Sequence, residues 1–195
     1  MRVIAGELRS RRVKGIPGLA TRPTPDRLRE TLFDILATRI EGAVFLDAYA
    51  GTGAVGIEAL SRGAQHAYFL ERNRAALSVL RENVATLGLE ARATVVPGPA
   101  AVTLVEYRAD LVFLDPPYEK EREYAQALEA LAEAPPAIVI VQHSTRFEPG
   151  ARHGALHEVR RVKQGDNALS FFEKSPETRD AKMERGTIDG SRVVE

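Results

Sequence analysis

The stretch FLDAYAGTGAVGIEAL, residues 45–60, holds the first group of residues whose types and spacing could do chemistry. Gly51, Gly53 and Gly56 follow a G-x-G-x-x-G spacing between a strand-like run and a helix-like one. Glycine there permits a tight turn and a close ligand approach, with helix-end N–H groups turned towards the ligand. Taken alone, the spacing fits a nicotinamide or flavin dinucleotide. Two details speak against one. Asp47, four residues before Gly51, suits a ligand with positive charge, such as an ammonium or a sulfonium, and repels a pyrophosphate at close range. The turn also carries no lysine to meet a nucleoside triphosphate. Glu71 ends the next strand-like run, twenty residues after Gly51, where an acid reaches ribose hydroxyls in sheets of this kind. Asp47, the glycine turn and Glu71 together describe a site for S-adenosyl-L-methionine. Plainer duties stay open for both acids: Asp47 as a turn-capping group, Glu71 as an ion-pair partner of Arg72 or Arg74.

A second stretch, LVFLDPPYEK at 111–120, runs four apolar residues into a carboxylate, two prolines and a tyrosine. Asp-Pro-Pro is also an ordinary turn. Placed after a buried strand and beside the Asp47–Gly51 motif, Asp-Pro-Pro-Tyr resembles the (D/N)PP(Y/F) motif of amino-group methyltransferases. An exocyclic amine on a nucleobase is a poor nucleophile because its lone pair is delocalised into the ring. Acceptors on its two N–H bonds draw the nitrogen towards tetrahedral geometry. The resemblance implies the Asp115 carboxylate as one acceptor and the Pro116 carbonyl as the other. Pro116 and Pro117 fix φ and hold that carbonyl still, which is preorganisation rather than acid–base strength. Tyr118 offers a ring for a base drawn from its stack, and such stacking is worth roughly 1–3 kcal/mol.

Alternating strands and helices must position these groups. AVFLDAY (43–49), HAYFLER (66–72), ATVVPG (93–98), ADLVFLDP (109–116) and AIVIVQHS (137–144) read as strands. The segments between them are amphipathic, as in Leu77, Leu80, Val84 and Leu87, and two stop at Gly63 and Gly88. This pattern predicts an α/β doubly wound, mostly parallel sheet covered on both faces. HEVRRVKQGDNALSFFEK (157–174) predicts a closing antiparallel hairpin around a Gly-Asp turn. RVIAG and RRVKG predict a small basic hairpin at the start. After it, Thr24 is expected to cap a helix with Pro25 in its first turn and Leu28, Leu32, Ile35 and Leu36 as its buried stripe. From Ser175 onward the chain is polar and aperiodic, a loosely held tail.

The formal net charge of the 195 residues is zero but unevenly spread. Residues 1–29 carry +6, residues 30–174 carry −5 and residues 175–195 carry −1. A mildly acidic body with a basic arm suggests a polyanion held at one end, against the plainer reading of a solvated basic surface. There is no cysteine, so no disulfide scaffold and no thiolate metal site. The apolar runs are too short to span a bilayer and the N-terminus lacks a signal-peptide core, so a cytoplasmic location is expected.

The order of MRVIAGELRSRRVKG, RPTPDRLRETLF, LDAYAGTGAVGIEALSRGA, FLERN, LVFLDPPY and GDNALSFFEK is similar to that of the bacterial 16S rRNA guanine-N2 methyltransferases, the ribosomal small-subunit methyltransferase D family, over about residues 1–174. The resemblance implies a Rossmann-like seven-stranded methyltransferase sheet of order 3-2-1-4-5-7-6 with a small basic N-terminal β-hairpin extension. It divides the chain into an RNA-contacting hairpin and loop (1–24), an S-adenosylmethionine-dependent domain (25–174) and the tail (175–195). It implies methyl transfer to a guanine 2-amino group in 16S rRNA, free or in an assembling small subunit; the sequence itself gives no sign of oligomerisation or of membrane association, so a monomer is expected. Asp47, Ala50, Gly51, Gly53 and Glu71 would hold the cofactor, and Asp115, Pro116, Pro117 and Tyr118 would be catalytic. Arg9, Arg11, Arg12, Lys14 and Arg22 would contact RNA. One departure stands out. The family has Gly-Asp-Ala after the third strand, its acid on the adenine amino group, whereas this chain reads Gly98-Pro99-Ala100. Backbone around Gly98 and Ala100 is therefore the expected adenine contact.

Rival readings are a DNA adenine amino methyltransferase, which uses the same motif, a non-catalytic RNA-binding ribosome assembly factor, and a dinucleotide oxidoreductase. The short chain with no target-recognition domain argues against the first. His153 and His157, four apart, lack a third metal ligand of suitable spacing, so no metal is expected. His143 reads as a core or rim histidine.

Overall fold

The computed structural model describes residues 1–16, 25–117 and 119–175. Thirteen elements follow the basic arm: α1 (Asp26–Ile35), β1 (Val44–Asp47), α2 (Ala54–Ser61), β2 (His66–Glu71), α3 (Arg74–Thr86), β3 (Ala93–Pro97), α4 (Ala100–Thr103), β4 (Leu111–Leu114), α5 (Glu121–Glu133), β5 (Ile138–Ser144), β6 (Arg152–His153), β7 (Leu156–Gln164) and β8 (Asn167–Lys174). The strands form one sheet in the order β3-β2-β1-β4-β5-β8-β7-β6. β1 to β5 run parallel, and β8 joins β5 antiparallel. This is the expected methyltransferase order with one strand more. The eighth strand, β6, is a two-residue pairing of Arg152 and His153 with His157 and Leu156, too short to give an alternation in the sequence.

Apolar residues fill both faces of the sheet. Phe45, Phe69, Phe113 and Ile140 pack with α1, α2 and α3 on one side. Leu46, Leu114, Val139 and Val141 pack with Tyr124, Leu128 and Leu131 of α5 on the other. α2 is buried at every residue from Val55 to Ser61. A helix buried all round needs cover on its outer side, and the N-terminal arm supplies it. Gly6 lies so close to α2 that an added Cβ would overlap the Ser61 carbonyl, while the Glu7 amide donates to that same oxygen at 2.8 Å.

The arm is a hairpin of minimal size. Among its described residues only Arg2 and Arg12 form a bridge, with Val3 donating to the Arg11 carbonyl at 3.0 Å. The expected capping of α1 differs from the observed start. Pro25 occupies the N-cap position, with no side-chain cap, and its carbonyl accepts from Leu28 and Arg29. Thr24, one residue further out, lies outside the described residues. Leu28, Leu32 and Leu36 form the expected stripe, joined by Phe33, with Ile35 partly exposed. Ser175, placed by sequence in the loose tail, is buried and donates its amide to the Ala155 carbonyl at 2.8 Å. Residues 176–195 are outside the described set.

Candidate active site

The chain leaves β1 towards β2 and β3 on one side and returns at β4 on the other, so a crevice opens at the carboxyl ends of β1 and β4. Ligands of open α/β sheets bind at such a reversal. Asp47 is the last residue of β1, paired with Phe113, and Asp115 follows the end of β4. The cleft here is lined by Tyr49, Glu71, Gly98, Ala100, Asp115 and Pro117, among others. Two groups that are 44 residues apart in sequence, Glu71 and Asp115, thus share one cavity.

The glycine turn is held from every side. Asp47 is buried and its Oδ2 accepts the Gly56 amide at 3.0 Å. Burial pushes its carboxyl up to about 7, with the Gly56 amide opposing and the Glu71 charge adding. Asp47 therefore faces the turn it precedes, and the lining of the cleft does not include it. Glu71 accepts from Gly51 at 2.8 Å and from Asn73 at 2.6 Å, which ties the turn to the start of α3. Ala50 donates to the Leu70 carbonyl, and Gly53 to the Ala50 carbonyl.

The three glycines have different neighbours. Gly51, at φ +55, has open space where a Cβ would project. Gly53, at φ +86, would push a Cβ to 2.4 Å from Leu80 Cδ1, and Gly56 to 2.3 Å from Phe69 Cε1. Gly53 and Gly56 thus let α2 seat against β2 and α3, and Gly51 is the one that leaves room for a ligand. Gly98 and Ala100 lie at the foot of the short α4, with Pro99 at its N-cap position. The Gly98 amide donates to the Glu71 carbonyl at 3.0 Å.

At the acceptor motif, Pro116 is buried and its carbonyl accepts from the Tyr124 hydroxyl at 3.2 Å. Tyr124 is 1% exposed and its ring lies 4.7 Å from that of Phe147. A carbonyl has two lone pairs, so this bond orients Pro116 and leaves a second acceptor position. Tyr118 and Arg22 lie outside the described residues. Arg9, Arg11, Arg12 and Lys14 are exposed on the arm, with Lys14 paired to Glu82. His143 is a core residue, bonded to the Ser144 carbonyl and to Ser170.

Several residues that organise this site carry no motif. Tyr49 sits at the cleft with its hydroxyl beside Glu123, and burial, then the Glu123 charge, raises its pKa. Glu58 is fully buried in α2 and accepts from the Ile4 and Ala5 amides and from Arg62 Nε. Arg29, 1% exposed, donates to the Arg2 carbonyl and stands 3.8 Å from Glu58. Asn83 is buried in α3. The signal for these three was a polar residue on an otherwise buried helical face.

A pyrophosphate fits this cleft poorly, since Asp47 lies behind the turn and the lining cation, Arg72, is paired with Glu123. A ligand with a ribose and a cationic tail fits the donor set: Glu71 has acceptor capacity beyond its two amides, and Gly51 leaves space.

Residues 1–173 match the family described as Conserved hypothetical protein 95. The chain is 32% identical over 183 residues to "Putative rRNA methyltransferase YlbH" of Bacillus subtilis, covering 89% of this chain and 99% of that one. It is 44% identical over 124 residues to "Ribosomal RNA small subunit methyltransferase D" of Escherichia coli, over 62% of this chain and 61% of that one. Among solved structures, the Escherichia coli "Putative methyltransferase yhhF" superposes with a TM-score of 0.75 at 33% identity, over 90% of this chain and 98% of that one. A Salinibacter ruber RNA methyltransferase in complex with S-adenosyl-L-homocysteine shares the fold, at a TM-score of 0.64 and 16% identity over 79% of this chain and 94% of that one. The chain has the Rossmann-like methyltransferase fold and belongs to the conserved hypothetical protein 95 family, with the ribosomal small-subunit methyltransferase D proteins among its relatives.

Proposed function

We propose that the protein transfers a methyl group from S-adenosyl-L-methionine to the 2-amino group of a guanine in 16S rRNA. The observation that carries the reading is the shared cleft, where Glu71, Gly98 and Ala100 of the cofactor set meet Asp115 and Pro117 of the acceptor motif. The names of the relatives support ribosomal RNA as substrate. The Salinibacter ruber neighbour, which holds the demethylated cofactor, supports the donor.

The cofactor supplies a methyl group on a sulfonium, a good electrophile. Glu71 accepts from the ribose, Gly51 lets the methionine tail approach, and Ala50 and Gly53 shape the turn around it. Asp47 holds the turn through Gly56 and balances the positive tail from behind. Gly98 and Ala100 give the adenine its backbone contacts. Asp115 and the Pro116 carbonyl accept the two N–H bonds of the base amine, so its lone pair is freed towards the methyl group. Pro117 and Tyr118 hold the base, and Asp115 is an acceptor rather than a strong base. Arg9, Arg11, Arg12 and Lys14, exposed on the arm, neutralise RNA phosphates together with Arg22.

Tritiated methyl transfer to small ribosomal subunits, naked 16S rRNA and DNA, followed by nucleoside analysis, tests this. Label in 2-methylguanosine of 16S rRNA is expected. Label in adenine or in DNA would favour the DNA adenine methyltransferase, and RNA binding without transfer the assembly factor. Asp115→Ala should cut transfer roughly 100- to 1,000-fold with cofactor binding retained.

A further inference from the structure

Asn83 makes three hydrogen bonds that tie two distant parts of the chain together. Its Nδ2 donates to the Thr52 carbonyl at 2.9 Å and to the Lys14 carbonyl at 3.1 Å. Its Oδ1 accepts the Lys14 amide at 2.8 Å. Thr52 stands between Gly51 and Gly53, inside the turn assigned to the cofactor. Lys14 is the last basic residue in the described part of the hairpin assigned to RNA. The amide is 2% exposed, so it cannot trade these partners for water. Nor can it flip, because its oxygen would then face two carbonyls. One rigid group therefore fixes the turn and the arm in a single register.

The arm has other anchors, and they differ in one respect. Glu58 takes the Ile4 and Ala5 amides, and Ser61 takes the Leu8 amide while donating to the Ala5 carbonyl. These bonds fasten the first half of the arm to α2. None of them touches the glycine turn. Among the described residues, the second half of the arm reaches that turn through Asn83.

We propose that Asn83 is a positioning residue that couples the two binding events, so that cofactor in the turn strengthens RNA binding by the arm. It rests on the cofactor and RNA assignments above. The physical basis is shared ordering. A ligand that stills the Gly51–Gly53 turn stills the Thr52 carbonyl, and through Asn83 the Lys14 peptide, so the second ligand meets a surface already ordered. Coupling of this kind is reciprocal: RNA must raise cofactor affinity by the same factor.

The test is a binding cycle with S-adenosylhomocysteine, which allows no turnover, and protein-free 16S rRNA. In the wild-type protein each ligand is expected to tighten the other about 5-fold or more. Asn83→Leu should bring that factor to 1. Lys14→Pro, an exposed change that removes only the N–H given to Asn83 along with the side chain, should do the same. Lys14→Ala keeps the N–H and should keep the factor while weakening RNA binding. Ser61→Ala loosens the arm from α2 and should also keep it. A wild-type factor of 1, a factor retained in both Asn83→Leu and Lys14→Pro, or one lost equally in Ser61→Ala overturns the proposal. Should Asn83→Leu fail to fold, the Lys14→Pro and Lys14→Ala pair decides. Absence of binding to either ligand in the wild type overturns the functional reading itself, and this proposal with it.

Discussion

The Asp47 carboxylate accepts the Gly56 amide at 3.0 Å, from the end of β1 to the first turn of α2. It thereby closes the glycine turn from behind while sitting almost wholly out of water. Burial holds its carboxyl near 7 instead of 3.8. The folded state thus keeps this proton more tightly than the unfolded chain. Stability should then be highest below about pH 4, fall as pH rises to about 7, and change little beyond through this group. Asp47→Asn removes that slope, and its amide oxygen can still accept from Gly56. The variant's urea midpoint should exceed wild type at pH 8 and match it near pH 4, with weaker S-adenosylmethionine binding at pH 8. Parallel stability profiles for the two proteins would discard the assignment.

Gly56 has no room for a methyl group. A Cβ there would stand 2.3 Å from Phe69 Cε1, on a strand fixed by its neighbours. Gly56→Ala should cost about 1–3 kcal/mol through overpacking. Phe69→Leu in the same chain should recover part of that loss, which a double-mutant cycle of denaturation midpoints reads directly.

Glu58 and Arg29 are a buried charged pair that shares its hydrogen bonds with the arm's backbone. Glu58→Ala leaves the buried Arg29 guanidinium with the exposed Asp26 as its acidic partner and strands two amides, and should cost about 3–5 kcal/mol. Glu58→Gln keeps the acceptor oxygen and should cost less. A Glu58→Ala protein with an unchanged melting temperature would show that the arm is not fastened there.

Tyr124 donates to the Pro116 carbonyl from α5. The prolines fix φ and Pro117 confines ψ of Pro116 to the extended range, within which the Tyr124 bond sets the carbonyl's direction. Tyr124→Phe should lower kcat about 10-fold or more, with KM for cofactor and RNA little changed. Equal kcat values would remove this hydroxyl from the positioning of the acceptor.

Arg11 and Arg12 are exposed on the hairpin. Their joint replacement by alanine should weaken RNA binding and lower the slope of log affinity against log salt by about 1–2. An unchanged slope would return the arm to an ordinary solvated surface.

The sheet was legible because its strands are short runs of Val, Leu, Ile and Phe, and the helices because their apolar residues recur at helical spacing. Glu71, Gly98 and Asp115 could be named from motif position, and the structure brings them to one cleft. Asp47 takes the turn-capping bond left open for it, to Gly56, and is absent from the cleft lining, because the residue type says nothing about which neighbour it faces. Asn83 and Glu58 could be seen only as polar residues on buried helical faces, with no hint of what they bond. Their partners are backbone groups 31 to 69 residues away, and a backbone amide leaves no trace in a sequence pattern.

Among the described residues the sheet ends at β3 and β6, the edges at which a strand from another molecule could add. β6 offers two residues, and β3 ends at Pro97, which has no amide to give. The antiparallel hairpin that completes the sheet thus also tapers it to a stub. Among the described residues, the two ends of the sheet thus leave little backbone on which a strand from another molecule could stack.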